Sequence, residues 1–182
     1  MNYERFLNAR IASVPPSGIR RFFDLAASQK DAISLGVGEP DFKTPYMIRE
    51  AAINSLVDGE TQYTANRGLM ELRQEIALYL HGRYHLTYRP ETDILVTIGA
   101  SEAIDLALRA LITEGDEVLV PDPSYVSYAP GVVFAGGTPV PVPTRQEDDF
   151  RLRADLLERA ITPRTRLLIL PYPNNPTGAI ME

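Results

Sequence analysis

Cysteine is absent from the 182-residue chain, which excludes a disulfide framework, a thiolate nucleophile and a zinc-thiolate site within it. Histidine is scarce. His81 and His85 stand four apart at the end of an expected helix without a surrounding HExxH pattern, and read as a partly exposed helix-terminal pair rather than a metal site. Lysine is nearly missing as well: the eighteen basic residues include only Lys30 and Lys43, the rest being arginine. No apolar run reaches the eighteen or so residues of a membrane span, so no membrane partner is expected. The opening MNYERFLNAR has no continuous apolar stretch for a secretion signal, and the cytoplasm is the expected compartment. Positive charge is short too, with a net charge of -6. Arg151, Arg153 and Arg159, the nearest basic cluster, are interleaved with Asp148, Asp149, Asp155 and Glu158, so nucleic acid is not an expected partner.

What is present suits a globular chain, 45% hydrophobic and 23% charged. A chain this long can bury about 70% of its unfolded surface and needs no staples. The first fifteen or so residues read as an arm with one short helix, interrupted by Pro15, Pro16 and Gly18. Ile19, Phe22, Phe23 and Ala26 share a helical face, and Ala32–Leu35 reads as a short strand. Thr44 before Pro45 predicts a helix start, carried by Ile48, Ala52, Ser55 and Leu56 to a stop at Gly59. Leu69, Leu72, Ile76 and Leu80 predict another helix, stopped at Gly82.

Strands and helices then alternate. Strands are expected at Asp93–Ile98, Glu117–Val120, Thr138–Val142 and Arg166–Leu170. Helices are expected around Ile104–Leu111, Tyr125–Phe134 and Leu156–Ile161. That order predicts an α/β fold with a mostly parallel sheet covered by helices. Leu167-Leu168-Ile169-Leu170, lacking polar alternation, reads as a strand covered on both faces. The chain stops just beyond it, where a crossover should begin, unless that strand lies at the sheet edge and ends the domain.

Three segments leave these strands with chemistry in them. In Val96–Ile104 a glycine and small residues lead into a helix, where N–H groups, the helix dipole and the Ser101 hydroxyl suit a phosphate; a plain capped helix is the alternative. The segment is neither GxGxxG nor GxxxxGK[ST]. In Val120–Tyr128 prolines present Tyr125, either against a planar ligand ring or as packing between helix and sheet. In Leu170–Gly178 two asparagines can donate amides to a ligand oxygen, with Pro176 stiffening the turn and suited to a cis bond; an ordinary Asn-Pro-Gly turn is the alternative. Loops that follow parallel strands meet at one sheet edge, where ligands collect.

These residues carry a resemblance. The strings SLGVGEPDFKTP (34–45), GETQYTANRGLMELRQEIA (59–77), VTIGASEAIDLALRALITEGDEVLVPDPSY (96–125) and PYPNNPTG (171–178) resemble, in order, the N-terminal part of the class I/II aminotransferases. Those enzymes use pyridoxal 5'-phosphate on the aspartate-aminotransferase fold, fold type I. The resemblance implies that 1–44 form an N-terminal arm and part of a small domain, and that 45–182 form the first half of the cofactor-binding large domain. It implies that Ala100, Ser101 and Glu102 bind the cofactor phosphate, Glu102 through its backbone. Tyr125 would stack on the pyridine ring, and Asn175 would donate to the ring's phenolate oxygen. Gly38 would leave room for the substrate carboxylate, and Tyr63 would reach the phosphate of the other subunit in a homodimer.

The implied chemistry also needs a Schiff-base lysine. In the family that lysine lies in the second half of the large domain, with an aspartate for the ring nitrogen and arginines for phosphate and substrate; neither Lys30 nor Lys43 holds its position. The expected protein is therefore an aminotransferase acting by ping-pong between an amino acid and a 2-oxo acid. The chain itself would be inactive: a truncated or proteolysed piece, or one polypeptide of an enzyme completed elsewhere. Such a piece should show open sheet edges and uncovered apolar helix faces, and be unstable alone or held in an assembly. A carbon–sulfur lyase of the same fold and a noncatalytic α/β binding module remain open.

Overall fold

The computed structural model describes residues 4–18, 38 and 40–181. They fall into two compact units, Met1–Ser17 with Gly99–Glu182, and Gly18–Ile98. The helix expected over 19–28 and the strand over 32–35 lie outside the described residues.

In the first unit the arm holds a 3-10 turn and the short helix α1 (Ala9–Ala12), capped by the Asn8 side chain accepting from Arg10 N–H at 2.9 Å. Strands β1 (Glu117–Asp122), β2 (Thr138–Pro143) and β3 (Thr165–Leu168) form a parallel sheet in the order β2-β1-β3. Helix α4 (Gly99–Leu111) precedes β1, α5 (Tyr128–Ala135) connects β1 to β2, and α6 (Ala154–Ala160) connects β2 to β3. The other helices, α2 (Tyr46–Val57) and α3 (Met70–Tyr84), belong to the second unit.

β1 is central because Val118-Leu119-Val120 is apolar toward both faces, and all three are buried. Val118 and Val120 join Leu108 and Ile112 from the α4 end and Val132 of α5; Leu119 joins Val142 and Leu152 on the opposite face, where Leu156, Leu157 and Ala160 pack. Each such side chain contributes about 1.5–3 kcal/mol by leaving water. Two glycines close the α5–β2 turn. Gly136 takes φ +96°, and at Gly137 a Cβ would stand 2.7 Å from Ile112 Cγ2.

β2 reads Thr-Pro-Val-Pro-Val-Pro. Thr138 and Thr144 donate their N–H groups to Asp116 and Asp122 at 2.8 Å each, so the even-numbered residues face β1 and Pro139, Pro141 and Pro143 face outward. Proline tolerates this because an outward N–H has no ladder bond to make.

Glu117, at the start of β1, is buried. Its carboxylate accepts from Thr162 Oγ1 at 2.6 Å and Arg164 Nε at 2.9 Å, and these two neighbours hold its pKa below the ordinary glutamate range. The pair ties β1 to the turn before β3.

One expectation for β3 fails. Leu167 and Ile169 join the core, but Leu168 and Leu170 are 37% and 56% exposed. The strand is covered on one face only, because α6 packs over β2 and β3 forms the other edge of the sheet.

In the second unit α2 begins one residue later than Thr44-Pro45 suggested, with Pro45 at the cap position and no side-chain cap bond. It buries none of its residues; Ile48, Ile53 and Leu56 are exposed. Helix α3 runs through Gly82 and stops at His85, which adopts the left-handed conformation (φ 57°). Gly82 fails as a stop because a helix ends where backbone geometry changes sign, and here that residue is His85. Both histidines are exposed. The residue α3 buries is Arg73, which donates to the Pro90 carbonyl at 2.7 Å, while Arg67 donates to the Thr92 carbonyl at 2.6 Å.

The strand expected at Asp93–Ile98 does not form. Residues 94–97 are irregular, and Val96 N–H donates to the Arg67 carbonyl at 3.1 Å. A strand needs a neighbour to complete its ladder, and the sheet of the described residues does not include this segment. Among the described residues no helix is long and apolar enough to cross a membrane, and no three His, Asp or Glu side chains cluster to hold a metal ion.

Candidate functional site

The carboxyl edge of the sheet is built by loops after β1 and β3. From Asp122 the chain passes through a cis bond to Pro123, then Ser124 and Tyr125, before α5 begins at Tyr128. Tyr125 is 41% exposed, and its ring meets Tyr128 edge-on, centroids 5.6 Å apart at 73°. Tyr128 in turn packs on the core around Val118 and Val132. A partly open aromatic ring braced on an anchored one can offer a surface to a flat ligand.

The second loop is Pro171–Gly178. The Tyr172–Pro173 and Asn175–Pro176 bonds are cis, as the sequence suited for Pro176. Tyr172 donates its hydroxyl to the Phe150 carbonyl at 2.9 Å, and burial pushes its phenol pKa up. Asn174 is buried; Asn175 beside it is exposed. Asn174 Nδ2 donates to the Pro123 carbonyl at 3.3 Å, so the two loops are joined directly. The sequence offers Asn174 together with Asn175 as an amide donor to a ligand, and the structure turns the Asn174 donor to the protein instead, a role the sequence reading did not give it. Its signal was the Thr three residues on, since Asn and a following Thr at that spacing often close a side-chain-to-backbone turn.

The third element is the start of α4. This helix and the turn after it run back along β1: Ile104, Leu108 and Ile112 pack on the strand, and Asp116 leads directly into it. From Gly99 to Ile112 the helical rise is about 20 Å, close to the roughly 17 Å length of β1. The first turn of α4 therefore stands at the carboxyl end of β1, the end from which Tyr125 departs. Gly99 has φ +78°, and a Cβ there would meet nothing within 4 Å. Ala100, Ser101 and Glu102 are exposed. Small residues, open space and the positive end of a helix suit an approaching phosphate.

Five of the residues singled out from sequence, Ala100, Ser101, Glu102, Tyr125 and Asn175, thus share one unit and one sheet edge. Tyr63 and Gly38 belong to the second unit, where both are exposed, and an added Cβ at Gly38 would meet nothing within 4 Å. Lys43 is exposed just before α2, and Lys30 lies outside the described residues.

A parallel sheet with helices on both faces and ligand-suited loops at its carboxyl edge defines an α/β ligand-binding domain. Comparison with known proteins narrows this. The profile of aminotransferase class I and II matches residues 30–182, and the chain belongs to that family. It is 47% identical over 175 residues to the putative aminotransferase YugH of Bacillus subtilis (strain 168), covering 96% of this chain and 45% of that protein. It is 46% identical, with the same coverage, to aromatic-amino-acid aminotransferase 2 of Thermococcus litoralis. Among solved structures, aspartate aminotransferase from Thermus thermophilus with maleate superposes with a TM-score of 0.89 at 39% identity, over 96% of this chain and 46% of that one. The chain spans about 45% of the length of the curated relatives it matches. The fold is that of the fold type I large domain, and the enzymes of this family depend on pyridoxal 5'-phosphate.

The residues present fit that cofactor in kind: a helix start with room for a phosphate, an accessible aromatic ring, and an exposed carboxamide on the loop bonded to the ring's loop.

Proposed function

We propose that this chain carries part of the cofactor site of a pyridoxal-phosphate-dependent aminotransferase. That enzyme moves an amino group from an amino acid to a 2-oxo acid in two half-reactions. The observation that carries the reading is the hydrogen bond from Asn174 to the Pro123 carbonyl, which joins the loops of Asn175 and Tyr125 at the edge where α4 begins. In this reading the first turn of α4, through Ala100, Ser101 and the Glu102 backbone, holds the phosphate. Tyr125 lies against the pyridine ring, and the Asn175 amide donates to the ring's phenolate oxygen. When bound, the cofactor supplies an electron sink for the carbon that loses its proton. The chain's residues orient that sink; they do not move the proton. The lysine that does so belongs to the rest of the enzyme, as do some of the residues that choose the substrate. Relatives named for aspartate and for aromatic amino acids both match this chain, in keeping with a part common to several specificities.

The same reading makes 1–44 an arm with part of a small domain, and 45–182 the first half of the large domain. It places Gly38 at the substrate carboxylate and Tyr63 at the partner's phosphate in a cytoplasmic homodimer. The test compares equilibrium binding of pyridoxal phosphate and of pyridoxal, which lacks the phosphate. Preference for the phosphorylated form, lost in Ser101→Ala with Gly99→Val, supports the assignment; equal binding of the two sinks it. In the whole enzyme, amino transfer that depends on a 2-oxo acid is expected. Release of ammonia and pyruvate instead would favour the lyase.

A further inference from the structure

Among the described residues only four polar or charged side chains are buried: Arg73, Glu117, Thr144 and Asn174. Arg73 clamps a turn, Glu117 is held by Arg164 and Thr162, and Thr144 donates to the Asp122 carbonyl at the end of β1. Asn174 alone sits between two loops of the candidate site. Its Oδ1 accepts from Thr177 N–H at 3.3 Å and Thr177 Oγ1 at 3.1 Å. Its own N–H donates to the Ala179 carbonyl at 2.8 Å, and its carbonyl accepts from Gly178 N–H at 2.8 Å. The Thr177 hydroxyl then accepts from Ala179 N–H at 3.2 Å. These bonds close 174–179 into a ring of its own, with Asn175 and Pro176 exposed at the tip.

We infer that Asn174 is a positioning residue, whose carboxamide closes this loop with its oxygen and fastens it to the Tyr125 loop with its nitrogen, so that the Asn175 amide and the Tyr125 ring are presented together. The inference rests on the proposed cofactor reading for what is presented to, but not for the fastening itself. Chemistry explains why the residue is asparagine. Closing the turn needs only an acceptor, which aspartate or serine would supply. Bonding the Pro123 carbonyl needs a donor from the same short side chain, and a carboxamide offers both. A merely local role predicts that losing the donor disturbs 174–179 alone. A fastening role predicts that the disturbance reaches Ser124–Ser127, fifty residues away in sequence.

Asn174→Asp separates the two, because it keeps the shape and the acceptor but sets a carboxylate oxygen against the Pro123 carbonyl. In the full chain, amide hydrogen exchange in N174D is expected to speed up by about tenfold at Tyr128 and Gly131, whose N–H groups donate to the Tyr125 and Ser127 carbonyls, as well as at 177–179. Its affinity for pyridoxal phosphate, read by the circular dichroism induced in the cofactor band, should fall by about tenfold at neutral pH. The deficit relative to wild type should shrink to about threefold in acid, where the protonated carboxyl regains a donor. Thr177→Val removes a bond inside the ring only, and should quicken exchange at 177–179 while leaving Tyr128 and Gly131 unchanged. If N174D does not fold, Asn174→Ala, which offers neither donor nor acceptor, is set against T177V at neutral pH, and faster exchange at Tyr128 in N174A but not in T177V gives the same answer. Exchange changes confined to 177–179 with none at Tyr128 and Gly131, or wild-type binding with no acid-dependent recovery, overturn the inference. Wild-type chain that binds no pyridoxal phosphate would instead sink the proposed function, and the exchange comparison would still decide the fastening.

Discussion

Replacing Gly137 with alanine puts one methyl group where the turn into β2 meets the core. The added carbon would lie 2.7 Å from Ile112 Cγ2, 3.1 Å from Val132 Cγ1 and 3.3 Å from the Asp116 carbonyl oxygen. Carbon pairs prefer about 3.5–4.0 Å, so the Ile112 contact is too close by roughly 1 Å. Ile112 cannot swing that methyl aside freely, because its branched Cβ restricts χ1 and the side chain is packed in one core cluster with Val118 and Val132. Moving Gly137 instead loads the Asp116 carbonyl, which accepts the 2.8 Å bond from Thr138 that sets the start of β2 beside β1. Overpacking of this kind costs about 1–3 kcal/mol. Ile112→Ala alone should cost about 2–5 kcal/mol by leaving a cavity. In the double variant the methyl introduced by Gly137→Ala moves into that cavity, so the combined loss should fall short of the sum by about 1 kcal/mol or more. Urea unfolding followed by far-ultraviolet circular dichroism measures all three, with unchanged slopes showing that the compared states are the same. A Gly137→Ala loss under about 0.5 kcal/mol, or strict additivity in the double variant, would refute the packing argument.

Glu117→Gln should remove an acid-sensitive part of the stability. Because Thr162 and Arg164 hold the Glu117 pKa down in the folded chain, its contribution is complete above the ordinary glutamate value near 4.3 and fades as pH falls through the folded value. The stability gap between wild type and variant should therefore narrow on acidification, and a gap constant with pH would contradict this. Arg73→Met leaves the Pro90 carbonyl without its 2.7 Å donor and should cost about 1–3 kcal/mol in the same urea assay; a loss below about 0.5 kcal/mol would show that the clamp is idle. Tyr125→Ala should weaken pyridoxal phosphate binding by about tenfold, and Tyr125→Phe by less than about threefold, since a stacking face needs the ring and not the hydroxyl. Equal losses for both variants would assign the effect to the hydroxyl.

The alternation of β and α patterns after residue 93 was enough to read the parallel sheet, because Val118-Leu119-Val120 and the helix faces around it bury each other within the chain. Patterns whose partners are not among the described residues were misread. Leu167–Leu170 has the composition of a strand covered twice, yet two of its leucines are exposed, since composition records what a strand can bury and not what lies over it. Ile94–Thr97 has strand chemistry, yet the sheet of the described residues does not include it. Gly82 is only permissive of a stop, and helix α3 passed through it. In the site, the loop motifs singled out the exposed Tyr125 and Asn175 directly. Asn174 reads from sequence as a second ligand donor because its bond to Pro123 spans fifty-one positions, and local spacing registers only the half that reaches Thr177.

The prolines of β2 make the sheet extensible in one direction. With Pro139, Pro141 and Pro143 turned outward, that margin has no amide hydrogens at those positions to offer an incoming strand, so two copies cannot zip together along it. The border at β3 carries no proline, so the two margins of one small sheet differ in what they can pair with, and that difference is written into every second residue of β2.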